Sequence, residues 1–125
     1  TVLLLEGTND VTDSSGAGPL DSIVSNLREM IRIARDDYGL QLVLGTLLPR
    51  LSYTNDQESP TTSELVVAIR DLAVEEDVLL ADHYQNFLEM EEWENYFFDI
   101  LHPNDQGYEA LADSWVHGAL EHLFP

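Results

Sequence analysis

Three short apolar runs, separated by stretches of helical periodicity, constrain this chain more than any other feature of it. The first run is Val2–Glu6, closed by Gly7; the second is Gln41–Leu48, stopped by Pro49; the third is Val78–Ala81. Runs this short and this uninterrupted suit strands buried on both faces of a sheet. Between the first two, Ile23, Leu27, Met30, Ile31 and Ala34 recur at helical spacing up to Asp37, and Gly39 supplies the stop. Between the second and third, Thr61-x-x-Glu64 is a capping box that opens a helix with an apolar stripe of Leu65, Ala68, Ile69, Leu72 and Ala73. After the third, Phe87 to Phe98 is acidic and aromatic and reads as one or two helical turns. A last helix presents Tyr108, Leu111, Ala112, Trp115, Ala119 and Leu123. Strand, helix, strand, helix, strand, helix in that order predicts right-handed crossovers, a parallel sheet and one α/β domain over residues 1–125. Thr12–Pro19 and Arg50–Pro60 read as loops.

Composition bounds the function. The 24 acidic residues face only 5 basic ones, all of them Arg, for a formal net charge of −19. A field of that sign repels phosphate backbones and anionic lipid, so neither nucleic acid nor a membrane surface is expected as a partner. Self-repulsion also predicts a chain that tolerates or needs salt, although a plain acidic solvated surface has the same composition. The apolar runs are far too short to span a bilayer. With no cysteine there is no disulfide, no thiolate metal site and no cysteine nucleophile.

In parallel sheets chemistry collects in the loops after the carboxyl ends of the strands. Directly after the first run stands Gly7-Thr8-Asn9-Asp10. The glycine permits a tight turn, and the Asn9 amide can be aimed above the sheet to donate to a developing oxyanion. Asn and Asp are also common turn formers, so the motif by itself is equally a turn. Just before the last helix stands Asp99-Ile100-Leu101-His102-Pro103-Asn104. A separation of three puts a carboxylate beside an imidazole, where it fixes the tautomer, and Pro103 biases His102 out of helical geometry. This is the orienter-and-base half of a hydrolytic triad; an aspartate capping a turn beside a surface histidine has the same pattern.

The remaining candidates have simpler readings. His83 is expected to be a structural histidine satisfied beside Asp82. His117 and His122, five apart, do not share a helical face and are not expected to form a metal pair. Glu89, Glu91, Glu92 and Glu94 read as a solvated acidic face before they read as a calcium site. Trp93, Tyr96, Phe97 and Phe98 either wall an acyl pocket or, more simply, form core.

Taken together, the strand–Gly-x-Asn-Asp block, two βα units, and an Asp-x-x-His-Pro-Asn block before a terminal helix resemble the SGNH/GDSL serine ester hydrolases. The third family block matches as Leu4-Leu5-Glu6-Gly7-Thr8-Asn9-Asp10. The fifth matches as Asp99-Ile100-Leu101-His102-Pro103-Asn104-Asp105-Gln106-Gly107-Tyr108. The resemblance implies a flavodoxin-like sheet and hydrolysis of small-molecule carboxylic esters without metal or cofactor. It further implies that Asn9 is an oxyanion donor, His102 the general base and Asp99 its orienter. The family's Gly-Asp-Ser block, with the nucleophile, and its second block have no counterpart in these residues. The chain is therefore expected to supply the C-terminal portion of the fold, family strands three, four and five. Ser14 and Ser15, after Asn9, are the candidate substitute nucleophiles, and Ser52 follows the second strand; each is more simply a turn residue. The absent central strand leaves Val2–Glu6 at the sheet edge, so a homodimer, or a complex with the missing piece, is expected there. The alternative to a weakly active truncated esterase is a catalytically dead remnant that binds a ligand or a partner chain. A third reading is an acidic α/β interaction module with two accidental turns.

Overall fold

A computed structural model describes residues 1–11, 19–51 and 60–124. Three parallel strands form one sheet in the order β1 (Val2–Leu4), β2 (Leu42–Gly45), β3 (Leu79–Ala81). The register pairs Leu3 with Val43 and Leu44 with Leu80. Helix α1 (Leu20–Arg32), extended by a π-helical turn at Ile33–Asp37, links β1 to β2. Helix α2 (Thr62–Glu75) links β2 to β3, and the short α3 (His83–Leu88) follows β3. A 3₁₀ turn at Trp93–Tyr96 leads to α4 (Asp105–Trp115), which continues through a π turn (Val116–Leu120) into a last helical turn, α5 (Glu121–Leu123).

The sheet separates two apolar layers, and β2 supplies both because successive side chains point to opposite faces. Leu42 and Leu44 join Ile23, Leu27 and Ile31 of α1 and Leu65, Ile69 and Leu72 of α2 on one face. Val43 joins Ala81 and Ala119, under Trp115 and Leu123, on the other. Gly45 belongs to that second face. A Cβ there would lie 2.7 Å from the Trp115 ring and 2.8 Å from Nε2 of His83, so only glycine lets both rings close on the strand. The capping box opens α2 as the sequence predicts: Thr61 Oγ1 accepts from Glu64 N at 3.1 Å, and the Glu64 carboxylate accepts from Thr61 N at 2.7 Å. The charge pattern also builds a clamp. Arg28, Arg32 and Arg35 converge on the buried Glu76 carboxylate at the end of α2, at 2.9, 3.4 and 3.3 Å.

Two expectations need adjustment. All three strands are shorter than their apolar runs, because Leu5, Leu47 and Val78 pack in the core without joining a ladder. Only β2 is buried throughout; β1 is an edge strand, and Leu3, facing the α4 layer, is 44% exposed. An apolar run marks strands of both kinds, since what covers a face is decided by neighbours distant in sequence.

Candidate active site

Asp99 and His102 sit in the irregular turn between the Trp93–Tyr96 segment and α4, where the two expected roles of the aspartate prove to be compatible. One oxygen, Oδ1, accepts from the backbone N–H of Leu101 (2.8 Å) and of His102 (2.7 Å), which closes the turn. The other, Oδ2, lies 2.8 Å from His102 Nδ1. The backbone and side-chain N–H groups of His102 and the N–H of Leu101 hold the Asp99 carboxyl down at about 2. It is therefore ionised throughout the neutral range and keeps the proton of a neutral imidazole on Nδ1. Nε2 is left to exchange protons with a hydroxyl. The ring stands at the surface, with 66% of its side chain exposed.

Backbone contacts make that turn rigid. Phe97 and Pro103 form an antiparallel bridge, and Phe98 N donates to the His102 carbonyl at 2.8 Å. Asn104 then caps α4 by accepting from Gly107 N at 3.0 Å, while its own N–H donates to Tyr96 O at 3.0 Å and Nδ2 to Asn95 O at 2.8 Å. The same Tyr96 carbonyl lies so close to Gly107 that a Cβ there would be 2.1 Å from it. The spacing His-Pro-Asn-x-x-Gly thus has a mechanical reading. Asn104 starts the helix, Gly107 admits the returning backbone, and Pro103 pairs with the strand-like entry, so His102 projects from a fixed point.

Asn9 opens a 3₁₀ turn, Asn9–Val11, that follows β1. Gly7 takes a φ of +109°, which side chains rarely adopt, so the turn calls for glycine; a Cβ there would also press on the end of the Leu65 side chain at 2.9 Å. Two residues not foreseen as functional tie this loop to the histidine turn. Arg50 Nη2 donates to Thr8 O at 2.8 Å, and the next residue, Leu51, donates its N–H to Ile100 O at 3.1 Å. The segment that leaves β2 therefore grips the Asn9 loop with one residue and the Asp99–His102 turn with the next, and both lie at the carboxyl edge of the sheet. The sequence held a faint signal for this, a lone arginine in a strongly acidic chain just past a strand. Ser14, Ser15 and Ser52 lie outside the described residues.

The other candidates resolve as follows. His83 is buried, but its partner is Ser114, 2.7 Å from Nδ1, and not Asp82. Asp82 instead caps α3 and binds Arg70 Nε at 2.8 Å and Thr46 Oγ1 at 3.2 Å, fastening the ends of β2 and β3 together. Burial pushes the His83 imidazole down to about 4, more than the nearby Asp82 charge raises it, so the ring is neutral and a poor base. Among the described residues no three His, Asp or Glu side chains are placed to hold a metal ion, the Glu89–Glu94 cluster and His117 included. His117 Nδ1 instead meets Glu121 at 2.9 Å. The aromatic run divides: Phe97 is core, edge-on to Phe87, whereas Phe98 is 83% exposed beside the histidine turn.

The GDSL-like lipase/acylhydrolase family model matches residues 1–110. The chain belongs to that family. Among solved structures it is similar to a GDSL-like lipase from Bacteroides thetaiotaomicron, at 22% identity and a TM-score of 0.77, covering 98% of this chain and 62% of that one. It is also similar to the acetyl xylan esterase AlAXEase, at 22% identity and 0.77, covering 94% and 66%. An acetylxylan esterase from Geobacillus stearothermophilus matches at 19% identity and 0.72, covering 93% and 57%. At these identities the likeness shows the fold, and the chain spans about three-fifths of each family relative's length. No curated protein matches.

Proposed function

We propose that this chain carries the base, orienter and oxyanion-donor half of a carboxylic ester hydrolase, working through an acyl-serine. The observation that carries the reading is the 2.8 Å contact between His102 Nδ1 and an ionised Asp99, in a turn that leaves Nε2 outward. In the forward half-reaction a serine Oγ attacks the acyl carbonyl carbon and its proton passes to His102 Nε2. The oxyanion formed accepts a hydrogen bond from the Asn9 side-chain amide. Collapse expels the alcohol, which takes the proton back from His102. Water then repeats the sequence on the acyl-serine and releases the acid. Asp99 stays ionised throughout and stabilises the imidazolium formed in each half. No metal or cofactor is called on for any step.

The serine is proposed to come from a strand that docks on the open edge of β1. Among the described residues that strand has a neighbour on one side only, β2. An edge with unpaired N–H and C=O groups is a template for a further strand. The relatives' greater length supports a segment of the family fold as its occupant. Sedimentation of this chain alone tests the occupant: a symmetric dimer at high micromolar concentration would favour a second copy instead. Recruitment of Ser14 or Ser15 by His102 is the competing source of the nucleophile. The acyl group is proposed to be small, and the two acetyl xylan esterases among the neighbours support an acetyl ester on a sugar hydroxyl.

Turnover of p-nitrophenyl acetate by this chain in complex with the docked serine-bearing segment, and by the same complex carrying His102→Ala, tests the assignment. A loss of about 10³-fold or more is expected where the histidine is the base. Equal rates would favour a non-catalytic, ligand-binding module. The double variant Ser14→Ala, Ser15→Ala retains activity if the serine is supplied by the docked strand and loses it if either is recruited.

A further inference from the structure

A concavity of about 540 Å³ runs along α4, walled on the far side by α3 and the turn that follows it. It reaches from Gln106, four residues past His102, to the π turn that follows α4. Gln106 also lines a smaller hollow, with Phe98, Pro103 and Asn104, beside the histidine turn itself. The two hollows share Gln106 in their walls, so the larger groove begins at the helix entry that follows the proposed catalytic turn.

The groove's lining is mixed, with Met90, Ala110 and Gly118 beside a set of polar side chains. Glu109 and Asp113, one turn apart on α4, present carboxylates; Gln106 and Asn86 present amides; Tyr96 adds an aromatic wall. At the floor is Ser114, 5% exposed, its Oγ held by His83 Nδ1 at 2.7 Å and Asn86 Nδ2 at 2.8 Å. An apolar chain would desolvate these groups without replacing their hydrogen bonds. An anion meets two carboxylates inside a chain of net charge −19. A metal ion finds no set of three ligands among the described residues. An ammonium would satisfy the carboxylates but leave the Gln106 amide N–H donors without acceptors. A neutral ligand with many hydroxyls satisfies both, because each hydroxyl donates to a carboxylate and accepts from an amide, and its C–H faces lie against the tyrosine ring.

We infer that this groove is a binding subsite for a neutral oligosaccharide chain, which holds sugar units remote from the ester while His102 works at the near end. The inference rests on the ester-hydrolase reading for its link to catalysis, but binding itself can be measured without turnover. The π turn at the far end fits the assignment, since such bulges often mark functional positions and here it seats Gly118 in the wall.

Titration of the ¹⁵N-labelled chain with xylotetraose, cellotetraose and maltotetraose, none carrying an ester, tests it by NMR. At least one is expected to shift the amide signals of Asn86, Gln106, Glu109 and Asp113 saturably. Gln106→Ala and Glu109→Ala, both at exposed helix positions that should leave the fold intact, are each expected to weaken that binding about five- to tenfold. Glu109→Gln, which keeps a hydrogen-bonding group, is expected to weaken it less than Glu109→Ala. No shift with any of the three sugars overturns the proposal. So does saturable binding of spermidine at the same residues that the sugars fail to displace. Sugar binding without His102-dependent turnover would sink the esterase reading and leave the groove standing; turnover without sugar binding would do the reverse.

Discussion

The Arg50 guanidinium donates to the Thr8 carbonyl at 2.8 Å, across 42 residues of chain. Thr8 precedes Asn9, and Arg50 precedes Leu51, whose N–H holds Ile100 inside the Asp99–His102 turn. One pair of neighbours thus sets the spacing between a proposed oxyanion donor and a proposed base that lie nearly a hundred residues apart. Arg50 is partly buried, and burial lowers its pKa, so the contact is shielded from water rather than a loose surface pair.

Arg50→Met keeps the side chain's length and removes the donor. It is expected to cost about 1–2 kcal/mol of stability in urea denaturation, with amide shift changes at both residues 8–10 and 99–102. Changes confined to the immediate neighbours of residue 50 would mean that the two loops are positioned independently.

Gly107→Ala drives a methyl into the Tyr96 carbonyl, which approaches an ideal Cβ to 2.1 Å. Because that carbonyl also accepts from Asn104 N, the entry to α4 must open. A loss of about 3 kcal/mol is expected from thermal or chemical denaturation, at the upper end of overpacking costs. A near-neutral alanine at this position would refute the mechanical reading of the His-Pro-Asn-x-x-Gly spacing.

Two titrations contribute to the acid response. His83 is held neutral, down to about 4 from an ordinary 6.5, so between those values the unfolded chain binds a proton that the folded chain refuses. Its contribution is fully present above pH 6.5 and is lost as pH falls toward 4, on the order of 3 kcal/mol in all. Asp99, lowered from 3.8 to about 2, adds a later loss as pH falls through that lower range. Denaturation curves at pH 7 and pH 5 should show the first loss in the parent, and His83→Gln should flatten it. An unchanged pH slope in the variant would point to another group.

Salt should stabilise. Arg28, Arg32, Arg35 and Arg70 are already paired with carboxylates, and the chain's 24 acidic residues outnumber its 5 basic ones nearly fivefold. Screening weakens the Glu76 clamp, but it relieves a far larger number of like-charge repulsions. The melting temperature is expected to rise from low salt to molar sodium chloride; a fall would show that the arginine clamps dominate.

The sequence by itself determined what is local. The alternation of apolar runs and helical stripes dictated three strands and their crossovers, Thr61 and Glu64 dictated the start of α2, and three-residue spacing with a following proline sufficed to join Asp99 to His102. These features depend on backbone geometry over a few residues, which composition and spacing encode directly. Tertiary structure alone decided what depends on distant neighbours. It gave His83 to Ser114 in place of Asp82, left Leu3 exposed on an edge strand that reads as buried, and made Arg50 the link between two loops. A side chain's partner across a sheet is chosen by packing of elements far apart in the chain, and no local pattern records it.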